Sequence, residues 1–450
     1  MTNRAGVRTW LAAAIAAIFL LGLALVSVPG TGEPPPAGPA QPLGAPAPPT
    51  EADVRDADTR AAAVTDLLDR RAAALRDRDE QAFLATLDPE ADEAFVTTQR
   101  ELFDNLAGVP LDEWSYRLHP GDALDLTDLP DEAAAGADEV WAPGVDLRYA
   151  LRGGDVVPTS RAMGYLFARH DDSWYLRSDT ELDRLGRRTW RGPWDFAPCQ
   201  VAATGHGIVL SHPGSEPMVE RLVGELDSSV RAVSELWPTS WSERVVLMLP
   251  DSASEMRALV GAKDFPVDSV VAVAVADRVN NASREVTGQR VVLSPTGVRA
   301  LSLTSLRVVL RHEITHVAAR ADTVDGSPTW LLEGFADYVG YRDSGVTLDE
   351  GAPDLMRQVR DDGPPGSLPE DRSFSSSGPE LDRAYQESWS VARYIAAEYG
   401  EDTLIDLYRT LAAAGAVSAR ETDDLLRDVL GVDRAELVRG WQDYLLGALE

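Results

Sequence analysis

Residues 311–316 have the sequence RHEITH, and residues 330–338 have the sequence WLLEGFADY. The first stretch lies within an apolar run with helical spacing, in which His312 and His316 are about one turn apart and share a face. Two imidazoles on one helix face can bind the same ion, and Glu313 between them can reach a water on that ion without being a ligand. Such groups are costly to bury in an apolar helix without a partner, so this stretch predicts a metal site.

The second stretch offers a third protein ligand, which zinc sites of this kind need beside a position left to water. Ser327 as N-cap and Pro328 as first helical residue predict that Glu333 lies on a helix. An acidic side chain among tryptophan, leucine and phenylalanine neighbours does not fit a solvated face. Asp337 follows one turn later on the same face, where it can accept a hydrogen bond from a ligand histidine.

Together, the HEITH and WLLEGFADY segments resemble the gluzincin zinc metallopeptidases, including the aminopeptidase clan with its W-L-x-E-G-x-A segment. The resemblance implies a Zn²⁺ cofactor bound by His312, His316 and Glu333, with Glu313 as general base and a peptide or protein as substrate. The Glu-x-x-x-Asp pair of Glu333 and Asp337 resembles the thermolysin-like branch, in which the aspartate orients a zinc histidine.

The resemblance also implies a tyrosine that stabilises the oxyanion of the tetrahedral intermediate. Tyr385 resembles the downstream tyrosine of this clan, with Tyr394 and Tyr399 as alternatives and a plain packing role open for all three. In the aminopeptidases of this clan, a G-x-M-E-N segment before the metal helix grips the amino terminus of the substrate. This chain has no such segment before HEITH, which favours an endopeptidase over an aminopeptidase. The apolar segment 291–293 is either the sheet edge that pairs with an extended peptide or an internal strand.

The N-terminal sequence predicts a membrane anchor. Arg4 and Arg8 precede an uncharged run at 10–28 that is long enough to cross a bilayer as a helix. The basic residues predict a cytoplasmic segment 1–9 and an extracytoplasmic catalytic domain, in a single-pass protein of the cell membrane. A cleaved signal peptide, which would leave a secreted protein, is the alternative.

The remaining chain predicts an α+β fold in two domains. Residues 29–50 are rich in proline, alanine and glycine and predict an extended linker. Residues 51–190 have helical patterns followed by alternating strands, including the hairpin sequence LFARHDDSWYLRSD, and resemble the cone-shaped nuclear-transport-factor-like fold of helices over a curved sheet. That resemblance leaves the ligand of this domain unknown. Residues 195–450 begin with short strands and become mainly helical, as in a thermolysin-like peptidase domain.

Composition limits the functional classes further. The net charge of −31 argues against a nucleic-acid partner, because a phosphate backbone needs basic residues to neutralise it. A single cysteine, Cys199, excludes an intramolecular disulfide. The sequence therefore predicts a membrane-anchored zinc peptidase. Two alternatives stay open: a catalytically inactive, metal-holding scaffold that binds a ligand or partner protein, and a zinc hydrolase acting on another amide or ester.

Overall fold

The computed structural model describes residues 51–238, 241–263, 265–267 and 270–449. The chain divides into two compact units, with the boundary after Val201. Both units combine helices with strands. The predicted cytoplasmic segment, membrane anchor and linker lie outside the described residues, and the predicted domain identities stay predictions.

The first unit begins with helices and continues with strands. Its helices are α1 (Glu51–Arg76), α2 (Glu80–Leu84), α3 (Glu93–Asn105) and α4 (Asp131–Ala134). Its strands are β1 (Leu111–His119), β2 (Glu139–Trp141), β3 (Gly144–Leu151), β4 (Thr159–Met163), β5 (Leu166–His170) and β6 (Ser173–Ser178). They form two antiparallel sheets, ordered β1-β3-β4 and β2-β5-β6. The predicted hairpin is confirmed, because β5 and β6 pair in a register that places His170 opposite Ser173.

Apolar periodicity explains how α1 is placed. Val64, Leu67, Leu68 and Leu75 recur at helical spacing and are all buried, so one face of the helix packs into the core. The chain after β6 completes this core, since Trp194 packs 5.4 Å from the Trp114 ring.

The second unit contains a five-stranded sheet and most of the helices. Its strands are β7 (Gln200–Ala203, which spans the boundary), β8 (Gly207–Ser211), β9 (Val245–Leu249), β10 (Ala272–Val275), β11 (Arg278–Asn280), β12 (Glu285–Thr287) and β13 (Arg290–Leu293). Its helices are α5 (Glu216–Leu236), α6 (Ala253–Val260), α7 (Leu303–Ala319), α8 (Thr329–Tyr341), α9 (Leu348–Gly351), α10 (Pro353–Asp361), α11 (Pro379–Tyr399), α12 (Glu401–Ala414), α13 (Ala419–Leu430) and α14 (Arg434–Gly447).

The large sheet has the order β10-β13-β9-β8-β7, and β11 pairs with β12 in a separate hairpin. Strands β8, β9 and β13 run parallel and are buried along their whole length, as expected for continuously apolar parallel strands. Strand β10 is antiparallel to β13. The segment 291–293 is therefore an internal strand, and β10 is the sheet edge on this side.

Helices α7 and α8 lie at the centre of the second unit. Helix α7 packs against α5, α8 and β10, and α8 packs in turn against α11. Gly334 permits close packing of α8 on α11, because a Cβ atom there would overlap the Ser388 carbonyl oxygen. Helices α7 and α8, which carry the predicted ligands, are in direct contact with each other.

The predicted membrane architecture is corrected by the helices of the structure. Across the described ranges, no helix is both long enough and apolar enough to cross a bilayer. The predicted fold with an N-terminal transmembrane helix and the predicted single-pass location in the cell membrane are corrected accordingly, because neither has support in the described residues. The fold that the structure describes is mixed α+β.

Candidate metal centre

The HEITH sequence lies on α7, as its periodicity predicts. Ser302 caps the helix, since its hydroxyl oxygen accepts a hydrogen bond from the Ser305 amide at 3.0 Å. His312 and Glu313 are buried, and His316 is partly buried near the end of the helix.

The WLLEGFADY sequence lies on α8, which starts later than its sequence predicts. The N-cap is Pro328 and the first helical residue is Thr329, so the prediction of Ser327 as N-cap is wrong. A carboxylate from elsewhere in the chain replaces the local cap, because Asp371 accepts a hydrogen bond from the Thr329 amide at 2.9 Å. Glu333 is on the helix as expected and is fully buried.

Three side chains from the two helices converge at one point. The Nε2 atoms of His312 and His316 are 3.2 Å apart. The Glu333 carboxylate lies 3.4 Å from His312 Nε2 through Oε2 and 3.6 Å from His316 Nε2 through Oε1. Within the described part of the chain, these residues form the group whose donor atoms lie close enough together to bind one metal ion.

The hydrogen bond to Asp337 determines the orientation of His312. The Asp337 Oδ1 atom lies 2.7 Å from His312 Nδ1. An ionised carboxylate accepts only, so Nδ1 carries the proton, and Nε2 is the ring nitrogen that faces His316 and Glu333. The hydrogen bond that the sequence predicts between Asp337 and a histidine of the HEITH helix is present, and the role of His312 as a metal ligand stays a prediction.

The geometry fits a zinc ion by two independent observations. Ligand atoms about 2.0–2.2 Å from a tetrahedral zinc are roughly 3.3–3.6 Å from one another, and the three separations here are 3.2, 3.4 and 3.6 Å. In addition, neither carboxylate oxygen of buried Glu333 has a hydrogen-bond donor among the described residues. A buried, unpaired carboxylate is costly, and a bound cation would supply its missing partner.

The pKa values of the Glu333 and Glu313 carboxyl groups are shifted in opposite directions. Burial opposes ionisation of Glu333, but the His316 and His312 rings outweigh it and hold the pKa of this carboxyl below its usual range. Burial raises the pKa of Glu313 against the opposing pull of the same rings. A carboxylate with a raised pKa is better matched to proton transfer near neutral pH.

Glu313 also faces the edge of the sheet. The backbone amide of Ala274 on β10 lies close enough to this carboxyl to lower its pKa, against the larger effect of burial. Ala274 N–H therefore points away from β13 and toward the open edge, with Glu313 beside it. No pattern in the sequence predicts this contact, because it depends on how α7 packs against β10.

The predicted tyrosines all lie on α11, the helix that packs against α8. Tyr385 is buried on α11, with its ring 5.4 Å from Phe374 in an edge-to-face arrangement. Tyr394 and Tyr399 lie further along α11, with their hydroxyl oxygens 3.5 Å apart. The assignment of Tyr385 to the oxyanion stays a prediction.

The first unit has a cleft of about 940 Å³ between α3 and the chain after β6. Its buried polar groups are paired with one another: Asp179 accepts from Gln99 at 3.1 Å and from Arg191 at 2.7 Å. Since these pairs satisfy each other, they do not identify a ligand for this unit.

Comparison with known proteins finds a distant structural likeness. No protein-family model matches the chain, and no curated protein matches it. One solved structure with a detectable likeness is a two-domain M1 zinc metallopeptidase, crystallised as a mutant bound to L-tryptophan. The likeness has a TM-score of 0.34 and 15% identity, and covers 54% of this chain and 51% of that one. The chain thus spans about half of the metallopeptidase's length, and a likeness this low does not establish a shared activity.

Proposed function

We propose that the chain is a zinc-dependent peptidase whose metal ligands are His312, His316 and Glu333. The observation that carries the proposal is the convergence of two imidazole nitrogens and a fully buried, otherwise unpaired carboxylate at separations of 3.2–3.6 Å. Two histidines and a glutamate are the ligand set of catalytic zinc sites, which keep one position open.

The buried carboxyl groups of Glu313 and Asp337 would have different roles. When bound, a zinc ion lowers the pKa of a coordinated water toward about 7 and polarises a carbonyl group. Glu313 would accept the proton of that water and deliver it to the leaving amine. Asp337 would hold His312 through Nδ1 so that Nε2 stays available to the metal.

An extended peptide would bind along β10. Within the described ranges, this strand pairs on one side with β13, and the opposite edge carries the Ala274 amide beside Glu313. Addition of a peptide strand to that edge would place a backbone carbonyl near the base and the ligands. A strand edge binds the backbone in the middle of the substrate peptide, which favours an endopeptidase. The absence of a G-x-M-E-N segment before HEITH favours the same class of peptidase.

The experiment that tests this function is cleavage of a peptide library by the zinc-loaded protein, beside Glu313→Gln. The wild type should cleave, a chelator should abolish cleavage, and zinc should restore it. Glu313→Gln should bind zinc but lose activity by about 10²–10⁴-fold, as expected when a general base is removed.

A matched control is Glu398→Gln, which makes the same change at an exposed position on α11 and should leave activity unchanged. Cleavage that persists in Glu313→Gln would remove Glu313 from its role. A zinc-loaded wild type that cleaves no peptide would leave a metal-holding scaffold as the better account.

A further inference from the structure

The β11–β12 hairpin contacts the chain directly after the HEITH helix. Asn281, which follows β11, donates through Nδ2 to the Ala321 carbonyl at 3.2 Å and to the Thr323 carbonyl at 2.9 Å. One side-chain amide therefore binds two carbonyls of the short segment that leaves α7.

A second amide, from the chain just after this hairpin, reaches α7 itself. Gln289, between β12 and β13, donates through Nε2 to the Val317 carbonyl at 2.9 Å. Val317 follows His316 directly and is one of the last four residues of the helix, whose carbonyls lack an intrahelical donor. The hairpin and the chain just after it thus supply donors that the end of the metal-binding helix needs.

Helix α12 holds the same segment from another direction. The Thr323 hydroxyl donates to the Ala319 carbonyl at 3.0 Å, so it must accept from the Tyr408 hydroxyl at 3.1 Å. The Val324 amide donates to the Ala412 carbonyl at 2.9 Å. The connection between the helix of His316 and the helix of Glu333 is therefore fixed on two sides.

The two histidines are supported differently. His312 is held through Nδ1 by Asp337, at 2.7 Å. For His316, the contacts among the described residues are made by Nε2, to His312 at 3.2 Å and to Glu333 at 3.6 Å, and in the same part of the chain no partner holds Nδ1. The position of His316 Nε2 consequently depends on its backbone, which lies in the last turn of α7.

We propose that Asn281 and Gln289 are positioning residues of the metal centre, which fix the last turn of α7 and thereby place His316 against Glu333. The proposal rests on the proposed function, because it presumes that His316 binds the metal. Helix ends fray more readily than helix centres, and a ligand there needs support to stay within about 0.5 Å of its working position.

The test compares isosteric variants of the full-length protein. Asn281→Asp and Gln289→Glu keep the shape of each side chain but replace its donors by acceptors that face carbonyl oxygens. Asn280→Asp is the matched control, because the Asn280 side chain uses its oxygen to accept from the Ser283 amide at 3.1 Å, and an aspartate can do the same. Gln289→Lys restores a donor at the second position.

Two properties are measured: zinc affinity by competition with a chromophoric chelator, and the visible absorption spectrum of the Co²⁺-substituted protein. Asn281→Asp and Gln289→Glu should each weaken zinc binding on the order of tenfold and change the cobalt spectrum, since support of a metal ligand is worth this much. Asn280→Asp should match the wild type, and Gln289→Lys should recover most of the affinity.

Wild-type affinity and an unchanged cobalt spectrum in both Asn281→Asp and Gln289→Glu would overturn the positioning role while leaving the proposed metal site intact. A wild type that binds neither ion would overturn the proposed function and this inference with it. If Asn281→Asp does not fold, the comparison of Gln289→Glu with Gln289→Lys decides the question alone.

Discussion

At the scale of single residues, the central feature is a carboxylate without a donor. Glu333 is fully buried on α8, and its oxygens face two imidazole nitrogens at 3.4 and 3.6 Å. The residue types and the spacing within each helix were enough to predict this ligand set from the sequence. The distances between the helices were not predictable, since they depend on how α8 packs against α7, where a Cβ atom at Gly340 would crowd the Val308 carbonyl oxygen.

Asp337→Asn tests the support of His312. The amide oxygen can still accept from Nδ1, but the negative charge is lost, so the ring becomes a weaker base toward a metal. We expect zinc affinity to fall about tenfold or more, measured by competition with a chromophoric chelator. Asp361→Asn, the same change at an exposed site on α10, should have no effect. Equal affinity in the two variants would mean that Asp337 does not tune the site.

At the scale of helices and strands, the sequence pattern predicted which elements form better than it predicted the residues at which they begin and end. The helical spacing of the apolar run around HEITH predicted α7, and the residues Ser327 and Pro328 predicted that Glu333 lies on a helix, which is α8. The start of α8 was missed because its cap, Asp371, comes from a distant segment. Strand β10, rather than the segment 291–293, is the sheet edge, because pairing order is decided by tertiary contacts.

Gly334→Ala tests the packing of α8 on α11. A methyl group at this position would overlap the Ser388 carbonyl oxygen, so the helices must separate. We expect a loss of about 1–3 kcal/mol in the free energy of unfolding, measured with denaturant, and weaker zinc binding because Glu333 moves with its helix.

The control for this variant is Gly224→Ala on α5. No atom lies within 4 Å of the added methyl group, so the same change should stabilise the protein by up to about 1 kcal/mol through helix propensity. A Gly334→Ala protein that is as stable as the wild type and binds zinc equally well would show that the close approach of the two helices is not needed.

At the scale of the whole molecule, all three candidate ligands lie in the unit that begins at residue 202. Metal binding should therefore stabilise that unit directly, by about 2.7 kcal/mol when free zinc is 100 times the dissociation constant. Scanning calorimetry with and without zinc should show a higher unfolding temperature for this unit, and removal of zinc by a chelator should reverse the shift. A shift of equal size in His316→Ala would indicate that zinc binds elsewhere.

The central claim is that His312, His316 and Glu333 bind one zinc ion, and the most direct measurement is zinc content per chain. We predict about one zinc per chain in the wild type and in Glu313→Gln, because Glu313 is not a ligand, and none in His316→Ala, which loses one of the three protein ligands. A folded wild type that remains free of zinc after reconstitution, or a His316→Ala protein that keeps its zinc, would contradict the account.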